Sequence, residues 1–208
     1  MVFILSFEAL LEREEFYGTE FGKAATLMTY RPRPHISRSR LDSYSNAVYI
    51  ETNESVRRDY SRWHGERYVV AKELTFDLLL SLYEVNTARL AAFRYFGPRV
   101  GMREELERGI KAIASWKPNI EARLIGLQNN EDRGILRRVM EALSGSGVRL
   151  VEVDLFGEST RHVAIDTKLG ASYDVLLEDR HYRAGELTNR LTIEDFERNL
   201  AAKQKKAV

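Results

Sequence analysis

Val148-Arg-Leu-Val-Glu-Val-Asp-Leu-Phe156, the turn-like Gly157-Glu-Ser-Thr-Arg161 and His162-Val-Ala-Ile-Asp-Thr-Lys168 form the stretch on which the reading of this chain depends. Both flanks alternate apolar and polar residues with period two, as half-buried strands do. Val151, Val153 and Leu155 point one way while Glu152 and Asp154 point the other, and Val163 and Ile165 oppose Asp166 and Lys168. Antiparallel pairing that sets Asp154 opposite Ala164 also sets Glu152 opposite Asp166 and Leu150 opposite Lys168. A β-hairpin in that register gathers acids and a lysine on one face, the layout in which a divalent metal and a lysine activate water. The same pattern equally describes a hairpin whose apolar face packs on the core and whose charged face meets water.

Upstream, Asn130, Glu131 and Asp132 are expected to open a helix whose acids suit its positive N-terminus. Ile135, Leu136, Val139, Met140 and Leu143 supply its apolar stripe, and Gly145-Ser-Gly147 ends it. A strand over 120–127 precedes that helix, so strand, helix and strand follow in the order of a right-handed crossover. Residues 173–179 suit a strand or a short helix, and 196–206 a C-terminal helix that runs into a basic tail.

The first half reads differently. Ser6 is a candidate cap for a helix over 7–16, and two prolines two positions apart make 30–40 a loop or arm. Short strands at 47–51 and 67–71 flank the polar stretch 53–65. After Thr75, the spacing of Phe76, Leu79, Leu80, Tyr83, Leu90 and Phe93 predicts a long helix ended by Gly97-Pro98. A further helix is expected over 103–115, and Lys117-Pro118 marks the boundary between regions. The fold expected is therefore mixed α/β, or α+β. A helix-rich N-terminal region with a small strand pair (1–116) joins a β-α-β-β region with an antiparallel hairpin (117–208), as two units or one continuous domain.

Composition narrows the function classes. The 208 residues suffice for a buried core without disulfides, and the chain has no cysteine. Thiol catalysis, cysteine zinc sites and iron–sulfur clusters are thereby excluded. The sequence has no apolar run of about 18 to 20 residues, so a membrane is not an expected partner. The N-terminus lacks a basic segment and Glu8 interrupts its apolar run, so no signal peptide is expected and the expected compartment is the cytoplasm. Basic and acidic residues nearly balance, 32 against 31, so nucleic-acid binding requires a local patch. Arginine outnumbers lysine 24 to 8, a composition that hints at a thermophile.

Asp154, eleven intervening residues, and Asp166-Thr-Lys168 after apolar Val163, Ala164 and Ile165 resemble the core motif of the PD-(D/E)xK nuclease superfamily. The resemblance covers about residues 131–170. It implies a phosphodiester hydrolase with Asp154 and Asp166 binding magnesium or manganese and Lys168 positioning the attacking water. Glu141, on the preceding helix, occupies the position of a further ligand in that family, and Glu152 is an additional candidate. The family usually places another strand between that helix and the first acid, whereas Val148 follows the helix directly here.

Arg31, Arg33, Arg38 and Arg40, with His35, form a candidate phosphate-binding arm, and Tyr30 and Tyr44 are candidates to stack on bases. The expected function is thus a metal-dependent nuclease or a nuclease-derived nucleic-acid-binding protein. The alternative is a non-catalytic interaction module or assembly subunit, with a protein partner or copies of itself. A winged-helix arrangement of 103–115, 131–144 and 148–168 is a variant of that alternative, with Arg133, Arg137 and Arg138 on the outer face of its second helix.

Overall fold

A computed structural model describes residues 33–37, 41, 47–59, 67–127, 133–155 and 160–176. Ten strands and two helices lie within them. In chain order they are β1 (His35–Ser37), β2 (Ala47–Tyr49), β3 (Ser55–Asp59), β4 (Tyr68–Leu74), β5 (Leu78–Glu84), β6 (Arg89–Tyr95), α1 (Met102–Ile113), β7 (Ile120–Gly126), α2 (Arg133–Leu143), β8 (Arg149–Leu155), β9 (Arg161–Asp166) and β10 (Ser172–Leu176). The strands make two five-stranded sheets, one ordered β3-β6-β5-β7-β8 and the other β1-β10-β9-β4-β2.

Three apolar layers hold these elements together. Leu78, Leu80, Leu82, Phe93 and Leu124 cover one face of the first sheet and pack on Leu106, Ile135, Val139 and Met140 of the helices. Its opposite face meets the second sheet through Leu79, Tyr83, Ile125, Val69, Val163 and Ile165. The outer face of the second sheet carries a smaller cluster of Ile36, Leu41, Val70, Ala164 and Val175.

The first half is not helix-rich in its described residues. The segment expected as one long helix is the antiparallel pair β5–β6, with Leu80 opposite Phe93 and Glu84 opposite Arg89. All seven residues of β5 are buried, because helices cover one face of its sheet and the second sheet covers the other. A strand buried on both faces carries a continuous apolar run, and such a run also satisfies helical spacing. The turn at 85–88 breaks the helical pattern, with Ala88 at φ 52.

The expected hairpin is not formed either. β8 lies parallel to β7 at the edge of the first sheet, with Asp154 beside Ile125. β9 sits inside the second sheet, antiparallel to both β4 and β10. The two flanks of the 157–161 turn therefore separate into different sheets. Alternation in β9 does not mark a solvent face, since Val163 and Ile165 are buried between the sheets and Ala164 and Asp166 are buried as well. Without that hairpin, α1 and α2 also lack the wing that a winged-helix module requires.

The remaining expectations divide. β2, β4, β7, α1 and α2 fall where the sequence placed strands and helices, β10 takes the strand option for 173–179, and the polar stretch after Asn53 contains β3. The arm is ordered where it is described, since His35–Ser37 pair in parallel with Asp174–Leu176. Ladders β5–β7, β4–β9 and β1–β10 join residues on either side of Lys117-Pro118. The helices expected over 7–16 and 196–206 lie outside the described residues.

Candidate functional site

Glu152 and Asp154 alternate on β8 and face the space between the sheets, where β10 contributes Ser172 and Asp174. Arg33, two residues before β1, projects into this corner and is buried. Its guanidinium is shared by three carboxylates: Nε donates to Glu152 Oε1 at 2.5 Å, Nη2 to Asp154 Oδ2 at 2.5 Å and Nη1 to Asp174 Oδ1 at 2.8 Å. Burial opposes the arginine charge, but the three carboxylates more than reverse this and raise its pKa above the ordinary value.

The corner extends as a balanced network. Arg161, the first residue of β9, donates to Asp154 through Nη2 at 2.9 Å and Nε at 3.1 Å. Ser172 Oγ donates to Glu152 Oε2 at 2.5 Å, and Arg123 Nε approaches the same oxygen at 3.5 Å. Glu121 receives Arg123 Nη2 at 3.3 Å and Arg149 Nη2 at 2.9 Å. Among the described residues four arginines thus face four carboxylates. The surplus is of donors, since Arg123 Nη1, Arg149 Nε and Arg161 Nη1 are buried without a hydrogen-bond partner. An added divalent cation would enter a corner where, among the described residues, buried arginine N–H groups already lack acceptors.

Asp166 stands apart from that corner. It closes the β9–β10 turn: Oδ1 accepts the Lys168 N–H at 2.8 Å and the Leu169 N–H at 3.1 Å. Its Oδ2 accepts Arg67 Nε and Nη2, each at 3.2 Å. An aspartate that bonds the backbone two and three residues ahead is a turn-former by its own chemistry. Asp166 also lies at the far end of β9 from Arg161, roughly 16 Å along the strand for five residue steps.

The other candidates are dispersed. Glu141 is on the exposed side of α2, bound to Arg137 at 2.9 Å, and the first sheet separates it from Glu152 and Asp154. The Lys168 side chain is exposed in the turn. Among the described residues no group of three or more histidine, aspartate or glutamate side chains is arranged to hold a metal ion. Of the basic arm, Arg33 is an interior residue, while Arg31, Arg38 and Arg40 lie outside the described residues. Among the described residues no helix is long and apolar enough to cross a membrane.

Of the candidate ligands, the structure therefore brings Glu152 and Asp154 together and leaves Glu141 and Asp166 elsewhere. Sequence reasoning missed Asp174, Arg161 and Ser172, whose role depends on a corner shared by two sheets. No family model matches the sequence, and no curated protein matches it.

Proposed function

We propose that this protein is a non-catalytic interaction module, a subunit of an assembly. The observation that carries this reading is the Arg33 guanidinium at the centre of Glu152, Asp154 and Asp174, where a metal-dependent hydrolase would need open carboxylate oxygens. The acids of the corner act as counterions that join the edge of one sheet to the other. Asp166 and Glu141 also have arginine partners, so each acid singled out by the nuclease motif has a structural task. The surface of the sandwich then carries the function.

The test combines chemistry and stability. Labelled single- and double-stranded DNA and RNA are incubated with the protein in magnesium, manganese or chelator, and melting curves are recorded in the same buffers. The reading expects no cleavage and no metal-dependent rise in melting temperature. Cleavage that disappears in an Asp154→Asn variant would overturn it.

A further inference from the structure

Two residues of β4 oppose one of β9 near the end of their ladder. Ala71 pairs with Val163 and Leu74 with Arg161, so Lys72 and Glu73 both fall opposite His162 and β4 bulges there. Glu73 takes the bend with φ 54, a left-handed conformation that a residue with a Cβ keeps only where its surroundings hold it. Its backbone is held from two sides. Glu73 N–H donates to His162 Nδ1 at 3.2 Å, while Glu73 O accepts Arg94 Nη2 at 3.5 Å and Thr75 Oγ1 at 3.4 Å. Arg94 belongs to β6 of the first sheet and also binds Asp77 at 2.5 Å, so a buried ion pair fixes the carbonyl side of the bulge. The N–H side rests on the His162 ring.

That ring is an acceptor that titrates. A neutral imidazole accepts at Nδ1 when Nε2 carries the proton, whereas the imidazolium donates from both nitrogens and accepts at neither. Protonation therefore sets one N–H against another at the bulge. Partial burial of the ring disfavours its cation; Glu73 opposes this and Lys72 assists it. These two are the charged residues that face His162 among the described ones. Arg161, its neighbour on β9, is bound to Asp154 on the opposite face, and β10 continues beyond its Asp174–Val163 pair with Val175 and Leu176. The Lys72 ammonium itself lies 4.1 Å from the centre of the Tyr49 ring on β2.

We propose that His162 is a pH-operated latch on this bulge. Its neutral ring keeps Glu73 left-handed. Protonation in weakly acidic conditions frees Glu73 to relax toward extended backbone, which carries its carbonyl away from Arg94 and loosens the closing Leu74–Arg161 pair of the ladder. Arg161 also binds Asp154 of the first sheet, so the loosened end is one at which the two sheets meet.

Ring titration and amide exchange, followed by NMR on isotope-labelled protein between about pH 7.5 and about pH 5, test this. At the upper pH the His162 ring should carry its proton on Nε2. As the ring becomes charged, protection of the Glu73 amide, corrected for the intrinsic pH dependence of exchange, should fall by about three- to tenfold, the net contribution of one hydrogen bond. His162→Asn, whose side-chain oxygen takes the place of Nδ1 without titrating, should keep the protection across the range. His162→Lys, a cation with no acceptor, should lack it at both ends. Melting curves show whether each variant folds, and the wild-type titration decides the matter where one does not. A ring protonated on Nδ1 at the upper pH, or Glu73 protection that stays constant while His162 titrates, would overturn the proposal. So would an asparagine variant that loses protection in step with wild type, or a lysine variant that retains it.

Discussion

Replacing Arg33 with methionine removes one cation from three carboxylates while keeping most of the side-chain volume. Loss of one partner from a buried ion pair costs about 3–5 kcal/mol, because the other charge stays buried and uncompensated. The remaining contacts place this substitution near the lower end. Asp154 retains both bonds from Arg161, and Glu152 retains Ser172 and the nearby Arg123. Asp174 loses its arginine, but its side chain is 24% exposed and water reaches it. A cost of about 3 kcal/mol follows, equivalent to a fall in melting temperature of roughly 6–12 °C for a chain of this size. Urea unfolding and calorimetry on wild type and variant give both quantities. Adding Glu152→Gln and Asp174→Asn to Arg33→Met should recover more than about 1 kcal/mol, since two of the three carboxylates that Arg33 neutralised lose their charge with it. Arg33→Lys should fall between wild type and methionine, because a point charge does not span three directions. A loss below about 1 kcal/mol for Arg33→Met, or no recovery in the triple variant, would refute the counterion argument.

Three further outcomes follow from individual sites. A Cβ at Gly170, which sits at φ 65, would overlap the Tyr83 ring, whereas Gly145 at φ 71 has open space around it; urea unfolding should show Gly170→Ala costing about 2 kcal/mol more than Gly145→Ala. Burial pushes the Glu84 carboxyl up, but hydrogen bonds from Thr87, Asn119 and Ser115 outweigh it and lower its pKa below 4.5. The unfolded state therefore binds the proton more readily, stability is lost as pH falls below 4.5, and Glu84→Gln should flatten that acid limb in melting curves. Burial lowers the His162 pKa below 6.5, Glu73 opposing and Lys72 assisting, so stability contributed by the neutral ring is lost as pH falls through 6.5. A His162→Gln variant should lack that component between about pH 7 and pH 5.

The two helices were legible in the sequence because one face of each meets water. The stripe Ile135, Leu136, Val139, Met140 and Leu143 is buried while Arg137, Arg138 and Glu141 are exposed, so α2 obeys helical periodicity. β5 offers no such contrast, because both of its faces are covered and its apolar run fits two periods. The turn at Asn86-Thr87 was the signal that separates them, as it interrupts the apolar run before the second strand, Arg89–Tyr95.

Pairing was less legible than the elements. β8 and β9 are adjacent in sequence and alternate in step, yet β9 takes partners 68–74 and 172–176, where apolar faces cover both its sides. The site followed the same logic. Arg33 is 119 residues from Glu152, 121 from Asp154 and 141 from Asp174, so its character as an interior cation depends on sheets brought together by the whole fold. Near its prolines it reads as a solvated arm. Glu152 and Asp154 were recognisable as paired acids from alternation alone, and what they bind was not.

Anomalous diffraction from crystals grown in manganese distinguishes a counterion corner from a metal site. The Arg33 guanidinium should appear in density between Glu152, Asp154 and Asp174, with no manganese peak within bonding distance, about 2.1–2.3 Å, of their oxygens. A manganese peak bridging Glu152 and Asp154, with Arg33 displaced from the corner, would contradict it.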